Sequence, residues 1–329
     1  MTAEDLQRLI ADRPDRYELI ETHANWILLD AEHAFKIKKP VRYSFLDYST
    51  LDLRRHYCQL ELTLNRRFSE GIYLDVSPVV ELDGRIGFGP SEGTVLDYAV
   101  KMKRLPADRQ MHRMLEAGQV TEDHIRAIAR RLAAFHRQAS AVYRPVNWEE
   151  MAKDFSDLTG HSGLLEQLFG RKAAEQVWGA AQRADTFLYR HRQLLQERND
   201  AGFTVDGHGD LHSANIFLLD EPVFFDCIEF DEHLRQVDVL DELAFLSMDL
   251  DRFGRSDLAD LLVNAYQKHH FCLPGEADKR LFYYYRAYRA NVRLKVKALS
   301  IQQHPPGQEE LEEMKKYLQL MVGYQAKML

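Results

Sequence analysis

The stretch that decides the fold reads HGDLHSAN and occupies residues 208 to 215. Two short apolar runs separated by a turn follow at residues 216 to 225, and Asp226 comes directly after them. Such runs predict a β-hairpin, so Asn215 and Asp226 should lie at the same end of it. The segment therefore offers an amide and a carboxylate to one point, and a second carboxylate, Asp210, stands five residues before the amide.

These three side chains suit a phosphoryl-transfer site. Oxygen ligands from an asparagine and an aspartate favour a hard cation such as magnesium, which binds phosphates and keeps several waters. Asp210 would remain available to accept the proton of a substrate hydroxyl. Protein kinases combine a catalytic-loop aspartate, an asparagine five residues later and a metal-binding aspartate. The alternative, three unrelated carboxylates and amides of surface loops, is disfavoured by the spacing and the intervening strands.

The same segment resembles the catalytic loop of the aminoglycoside phosphotransferase superfamily, within the wider protein-kinase-like group. Members commonly read HGDLxxxN followed by an apolar hairpin that ends in aspartate, and this sequence matches each element. The resemblance implies that Asp210 is the catalytic base, and that Asn215 and Asp226 hold Mg²⁺ beside ATP. Residues 241 to 244 resemble the later DLA element with one insertion, which implies a structural role for Asp241.

The resemblance and the distribution of patterns predict an α+β protein with a bilobal, protein-kinase-like fold. The first hundred residues indicate strands with one helix, at about residues 50 to 69, and Asp83-Gly84 is a strong hairpin signal. Beyond Leu105-Pro106, apolar residues recur at helical spacing. We expect an N-terminal nucleotide-binding lobe at 1–100, a hinge at 101–107, and a helical catalytic and substrate lobe at 108–329. A ligand cleft should lie between the two lobes.

The first lobe contains candidates for the cation that binds nucleotide phosphates. A half-buried strand at residues 33 to 38 would place Lys36 and Lys38 on one face and apolar side chains on the other. Kinase-like enzymes pair a strand lysine with a glutamate on the next helix; Lys36 and Glu61 fit these positions, with Lys38 as the fallback. The alternatives are a solvated lysine and an exposed helix glutamate. No GxGxxG loop precedes the strand, so the contacts that cover the phosphates stay undefined.

The segment that leaves this lobe resembles the hinge of kinase-like enzymes. Met102 and Lys103 would present backbone groups to adenine, and the residues before them would form the strand that leads to the hinge. The alternative is an ordinary edge strand.

A second resemblance covers the whole chain, to an uncharacterised bacterial branch of this superfamily. The residues that carry it are FKIKKPV at 35–41 and FLDYST at 45–50. Some members of that branch are fused to a P-loop kinase domain. The sequence printed above contains no GxxxxGK[ST] motif.

Four cations follow one side of a predicted helix late in the chain. Arg286, Arg289, Arg293 and Lys297 recur at steps of three and four, which aligns them on one face. Guanidinium groups bind phosphate and carboxylate bidentately, so this stripe would suit an anionic substrate rather than a polycationic aminoglycoside. The alternative, slightly favoured, is that the arginines pair with the acidic residues between positions 226 and 242.

The composition excludes several functional classes. The formal net charge is −8, which argues against a nucleic-acid partner, and no apolar run reaches the length of a membrane span. The three cysteines form no CxxC motif, so reduced thiols in a cytoplasmic protein are the simplest interpretation. The sequence leaves the oligomeric state, the choice of ATP or GTP and the acceptor undetermined, although a small molecule is favoured over a protein.

Three other functions stay open at this stage. A metal-dependent phosphoesterase would share the GDxH fragment at residues 209 to 212, but it needs a second ligand cluster, and no GNH[ED] motif is present. A non-catalytic nucleotide-binding protein on the same fold is disfavoured because Asp210, Asn215 and Asp226 are all intact. Nucleotidyl transfer instead of phosphoryl transfer is compatible with the same motif.

Overall fold

The computed structural model describes residues 1–12, 16–43, 46–89, 92–301 and 305–328. Phe45, which belongs to the branch resemblance, lies outside these residues. The chain divides into two compact units. We call Met1–Arg113 with Asn215–Leu234 the first unit, and Met114–Ala214 with Arg235–Leu329 the second unit. The hairpin that follows the HGDLHSAN stretch therefore belongs to the first unit, although it lies far along the chain.

The described elements alternate between strands and helices early in the chain and are mostly helical later. The strands are β1 (Glu18–Glu21), β2 (Asn25–Leu29), β3 (His33–Lys38), β4 (Arg42–Tyr43), β5 (Leu46–Asp47), β6 (Tyr73–Leu82), β7 (Arg85–Phe88), β8 (Thr94–Lys103), β9 (Thr204–Asp206), β10 (Ile216–Leu218), β11 (Pro222–Phe224) and β12 (Gln236–Asp238). The helices are α1 (Ala3–Ala11), α2 (Leu51–Arg66), α3 (Met111–Glu116), α4 (Glu122–Gln138), α5 (Trp148–Ser156), α6 (Ser162–Phe169), α7 (Arg171–Asp200), α8 (Glu232–Arg235), α9 (Val239–Arg252), α10 (Ser256–His269), α11 (Glu276–Ser300) and α12 (Gln308–Gln325).

The first unit is built on a six-stranded antiparallel sheet in the order β1-β2-β3-β8-β6-β7. The Asp83-Gly84 turn joins β6 to β7 as predicted, and Leu82 pairs with Arg85 across it. Both turn residues have positive φ, 51° and 77°, which matches the twist of the flanking strands. The sheet thus forms without long connections between most of its strands.

Strand β3 is more deeply buried than the sequence indicated. Phe35 and Ile37 pack in the apolar cluster on one face, as expected. Lys36 and Lys38 point the other way, but they are only 7% and 0% exposed. The prediction of a half-buried strand is therefore wrong, and so is the alternative of a solvated lysine. The face that carries the lysines is covered by Glu61 of helix α2 and by other charged partners.

Helix α2 confirms the helix predicted at residues 50 to 69 and ends three residues earlier. Thr50 caps its start, since the hydroxyl accepts a hydrogen bond from the Leu53 N–H. The helix packs against β6 and β8. This packing buries Glu61 completely and directs it toward β3.

Strand β8 continues through Lys103, into the range expected for the hinge. Met102 pairs with Ala34 of β3 on one side and with Tyr73 of β6 on the other. The edge-strand alternative is therefore wrong, and residues 101 to 103 of the expected hinge belong to the sheet.

The second unit is mostly helical. The apolar stripe predicted on α4 is confirmed, since Ile125, Ile128 and Leu132 are fully buried. Helix α11 packs against both α9 and α12 and carries the arginine stripe. Among the described residues, no helix combines the length and apolar character needed to cross a membrane.

Candidate active site

The centre of the first unit's site is Lys36. Its Nζ donates to Glu61 Oε1 at 2.8 Å and to Asp226 Oδ1 at 2.5 Å. Burial alone would lower the pKa of Lys36, but the negative charges of Asp226, Glu61 and Glu229 outweigh it and hold the pKa well above its usual value. Lys36 is therefore a permanent cation between a helix carboxylate and the aspartate that ends the hairpin.

A second lysine shares the same glutamate. Lys38 Nζ donates to the other oxygen of Glu61, Oε2, at 2.7 Å, and also to Glu229. The Tyr48 hydroxyl donates to Glu229 at 2.6 Å. These contacts connect five charged side chains, which we call the five-charge cluster: Lys36, Lys38, Glu61, Asp226 and Glu229.

The backbone around Asp226 is held by groups of β6 and α2. The Asp226 N–H donates to the Tyr73 hydroxyl at 3.0 Å, and the Cys227 N–H donates to Asn65 Oδ1 at 2.9 Å. The Asn65 side-chain amide in turn donates to the carbonyl oxygen of Glu61 at 2.9 Å. Asp226 has a φ of 63°, in the left-handed region that non-glycine residues rarely adopt. Asn65 therefore ties the helix that carries Glu61 to the segment that carries Asp226.

The hairpin places Asn215 beside the same segment. Ile216 of β10 pairs with Phe224 of β11, and the Phe225 N–H donates to the Asn215 carbonyl oxygen at 3.1 Å. The sequence prediction that Asn215 and Asp226 lie at one end of a hairpin is confirmed by this register.

The donors at this end of the hairpin fit magnesium. An asparagine amide oxygen and an aspartate carboxylate are hard ligands, and the Asp226 side chain is 44% exposed. Among the described residues, no group of three or more His, Cys, Asp and Glu side chains could hold a metal ion. Mg²⁺ that is bound mainly by phosphate, water and one or two protein oxygens needs no such group.

Some backbone N–H groups at the end of β8 are already hydrogen-bonded within the protein. The Lys103 N–H donates to the Ile72 carbonyl at 2.9 Å, and the Arg104 N–H donates to the Glu32 carbonyl at 2.8 Å. Nucleotide contacts from Met102 and Lys103 stay a prediction, and for Lys103 they would have to come from its carbonyl oxygen rather than from its amide.

Asp210 lies in the second unit, in the loop that follows β9. Its carboxylate is 3.4 Å from His212 Nε2, and its side chain is 38% exposed. Burial would raise the pKa of Asp210, but His212, Arg293 and His208 together hold the pKa well below its usual value. Asp210 is therefore ionised at neutral pH and can accept a hydrogen bond.

Glu242, at the start of α9, holds the backbone of this loop. Its Oε1 accepts hydrogen bonds from the N–H groups of His208 and Gly209, the latter at 2.6 Å, and its Oε2 is 2.8 Å from His136 Nε2. A Cβ at Gly207 would lie 2.5 Å from Oε1, so a larger residue there would displace the Glu242 carboxylate from its hydrogen bonds. Although burial raises the pKa of Glu242, the hydrogen bond and charge of His136 and the charge of His208 lower it to about 2.

The substitution Glu242→Gln should therefore destabilise the protein in a pH-dependent manner. The pKa of Glu242 falls from an ordinary value of 4.5 to about 2 on folding, which corresponds to about 3 kcal/mol of stability. This contribution is present above pH 4.5 and is lost as the pH falls toward 2. Urea unfolding of wild type and variant should differ at neutral pH and converge only as the pH falls to about 2. Glu149→Gln, at an exposed position of α5, is the control, and a pH-independent difference would contradict the assignment.

Two of the three candidate substrate arginines are occupied by carboxylates of α9. Arg289 donates to both oxygens of Asp241, each at 2.7 Å, and to the Gly209 carbonyl at 3.0 Å. Arg286 forms an ion pair with Asp251 at 2.9 Å. Arg289 thus pairs within the acidic stretch named in the alternative, which supports a structural role for Asp241. Arg286 also has a structural partner, but Asp251 lies beyond that stretch.

Arg293 differs from its neighbours on α11. It lies one helical turn after Arg289, is hydrogen-bonded to Tyr317, and its charge acts on Asp210 and Asp249. Among the described residues it forms no ion pair. Lys297, one turn further, pairs with Glu313 at 2.5 Å.

Sequence reasoning missed several residues that build the site. Glu229, Tyr73 and Asn65 carry no local signal, because each acts on a residue that is distant in sequence. Glu242 could have been found, since it is part of the DELA element at residues 241 to 244 and follows the aspartate already singled out.

Solved structures with a similar backbone are phosphotransferases. A choline kinase from Cryptosporidium parvum Iowa II aligns with a TM-score of 0.55 at 10% identity, over 95% of this chain and 88% of its own. An amicoumacin kinase in complex with AMP-PNP and Ca²⁺ gives a TM-score of 0.53 at 14% identity, over 98% and 96%. A spectinomycin phosphotransferase in complex with ADP gives 0.52 at 12% identity, over 98% of both chains.

The chain has the protein-kinase-like fold of these phosphotransferases. The predicted fold class is thus confirmed: a strand-rich N-terminal part precedes a mainly helical part, as in these three enzymes. At these identities the likeness concerns the fold. No family model matches the chain.

The curated relatives that match this chain are uncharacterised mycobacterial proteins. Proteins from Mycobacterium tuberculosis and Mycobacterium bovis are 32% identical to it over 299 residues, which is 87% of this chain and 55% of theirs. The chain therefore spans about half the length of the curated relatives it matches.

Proposed function

We propose that this protein transfers the terminal phosphoryl group of ATP to a hydroxyl group of a small molecule. The observation that carries the proposal is that Lys36 is bound by both Glu61 and Asp226. A strand lysine, a helix glutamate and a metal-binding aspartate have this relation in kinases. The second support is Asp210, an ionised and partly exposed carboxylate in the HGD loop.

Each part of the site has a separate role in this proposal. Asn215 and Asp226 would hold Mg²⁺, which neutralises phosphate charge when it is bound. Lys36 binds phosphate oxygens, and the end of β8 contributes carbonyl groups to the base. Asp210 orients the acceptor hydroxyl and takes its proton; its low pKa suits a loose transition state in which orientation matters more than base strength.

The division into a nucleotide-binding part and a catalytic part is retained in the proposal, with residues 215 to 234 assigned to the first unit. The first unit would bind the nucleotide, and the second would supply Asp210 and most contacts to the acceptor. Among the described residues, the lack of a multi-carboxylate and histidine metal cluster disfavours a dinuclear phosphoesterase, which needs several such ligands.

The experiment that tests the proposal uses ATP labelled at the γ-phosphate with Mg²⁺ and a bacterial metabolite extract. Label should appear in a small molecule that gains the mass of one phosphoryl group. A gain of a nucleotidyl group would support nucleotidyl transfer instead. Release of phosphate from esters without any nucleotide requirement would overturn the proposal in favour of hydrolysis.

The acceptor is proposed to carry an anionic group that binds Arg293. The amicoumacin and choline kinases and the spectinomycin phosphotransferase are named for small molecules, but this guanidinium adds a positive charge near Asp210, and in the described part of the chain no carboxylate is paired with it. Guanidinium favours phosphate and carboxylate groups.

The Arg293 assignment predicts which metabolites accept label. When the extract is fractionated by anion exchange at neutral pH, the accepting fraction should be one that the column retains. Arg293→Gln should raise the acceptor KM about tenfold or more, with the ATP KM unchanged, and Arg293→Lys should have a smaller effect. Acceptance only in unretained fractions, or an unchanged acceptor KM, would contradict the assignment.

A further inference from the structure

The two buried lysines of β3 bind different oxygens of the Glu61 carboxylate. Oε1 accepts from Lys36 at 2.8 Å and Oε2 accepts from Lys38 at 2.7 Å. Neither carboxylate oxygen can turn without losing a charge-assisted hydrogen bond, which is the stronger kind. The orientation of Glu61 is therefore fixed from two sides.

The two lysines differ in what lies beyond Glu61. The other partner of Lys36 is Asp226, whose side chain is 44% exposed. The other carboxylate partner of Lys38 is Glu229, which is 6% exposed. The Tyr48 hydroxyl lies 3.3 Å from Lys38 Nζ. Lys36 thus contacts a carboxylate, Asp226, that ligands can reach. The partners of Lys38 described above are buried.

The charges of the five-charge cluster explain why the second lysine is needed. Lys36 and Lys38 contribute two positive charges, and Glu61, Asp226 and Glu229 contribute three negative ones. Burial favours the neutral form of Lys38, but Glu229, Glu61 and Tyr48 hold its pKa well above the usual value. If Lys36 engaged phosphate oxygens, Lys38 would still neutralise Glu61, which would otherwise be a buried carboxylate with a weakened partner.

We infer that Lys38 is a positioning residue for nucleotide binding, because it anchors Glu61 and thereby leaves Lys36 available to the phosphates. This inference rests on the proposed function, since it assumes that Lys36 binds nucleotide. Lys38 acts through Glu61 and itself touches no ligand.

The test compares three variants by urea unfolding and by affinity for AMP-PNP with Mg²⁺. Lys36→Met should lower nucleotide affinity about tenfold or more with a small shift in the unfolding midpoint, because Asp226 can be solvated. Lys38→Met should shift the midpoint much further, because Glu229 is left buried with no lysine partner. Lys38→Met/Glu229→Met removes one charge of each sign, so the cluster keeps its net charge of −1, and most of the midpoint should return.

The affinity of the double variant decides the inference. If Lys38 positions Glu61, the double variant should bind AMP-PNP about as weakly as Lys36→Met, although its Lys36 is intact. Wild-type affinity in the folded double variant would show that Lys38 serves stability alone and would overturn the inference. An equal loss of stability in Lys36→Met and Lys38→Met would also overturn it.

Two further outcomes, an unfolded double variant and a wild type without nucleotide affinity, can each be interpreted. If the double variant does not fold, Tyr48→Phe removes the hydroxyl that contacts both Lys38 and Glu229 while every charge remains; weaker nucleotide binding supports the inference, and unchanged binding overturns it. If wild type binds no nucleotide, the proposed function fails, while the unfolding midpoints of Lys36→Met and Lys38→Met still test the anchoring of Glu61.

Discussion

Asp210→Asn is expected to lower turnover by about 10²- to 10⁴-fold, the usual contribution of a positioned general base. Asparagine keeps the shape of the side chain but cannot accept the hydroxyl proton. Nucleotide affinity should change little, because Asp210 belongs to the second unit and is not part of the five-charge cluster. Steady-state kinetics with the identified acceptor and a direct titration with AMP-PNP measure the two effects separately.

The control for Asp210→Asn is Asp220→Asn, which changes an exposed carboxylate in the turn between β10 and β11. This control should have wild-type turnover. Turnover that survives in Asp210→Asn would remove Asp210 from the mechanism. A parallel loss of nucleotide binding and of the unfolding midpoint would mean that the substitution disrupts the fold instead.

Arg289→Met is expected to destabilise the protein by about 3–5 kcal/mol, the cost of removing one partner from a buried ion pair. Asp241 is 3% exposed, and burial already raises its pKa although Arg289 lowers it. Without the guanidinium, the carboxylate would be buried with its main cationic partner gone. Urea unfolding at neutral pH measures the loss.

A second variant separates the structural role of Arg289 from a role in substrate binding. Arg289→Met/Asp241→Leu removes the whole pair and should recover most of the unfolding free energy, because apolar replacements of a buried pair are often tolerated. Its turnover should remain low, since the Gly209 carbonyl has lost its donor one residue before Asp210. A lasting loss of stability would contradict the ion-pair explanation, and full turnover would contradict a role in holding the loop.

Local pattern was sufficient where neighbouring residues act together. The alternation in β3 correctly placed Lys36 and Lys38 on one face, and the Asp83-Gly84 turn and the hairpin after Asn215 follow from short-range rules. The pattern could not show that the lysine face is buried, because the groups that cover it come from α2 and from Glu229, which is 191 positions away from Lys38.

The arginine stripe shows the same limit in the opposite direction. Helical spacing correctly aligned Arg286, Arg289 and Arg293 on α11, but spacing gives no information about which neighbours face them. Arg289 and Arg286 form ion pairs with carboxylates of α9, whereas Arg293 forms none within the described part of the chain. Likewise, a division of the chain into successive ranges cannot express that residues 215 to 234 join the first unit.

The left-handed backbone of Asp226 has a consequence for how such sequences can change. An aspartate at a φ of 63° carries about 1 kcal/mol of strain that glycine would avoid. Glycine would remove this strain, but it would also remove the carboxylate that binds Lys36. A relaxed backbone at this position and an intact five-charge cluster therefore exclude each other.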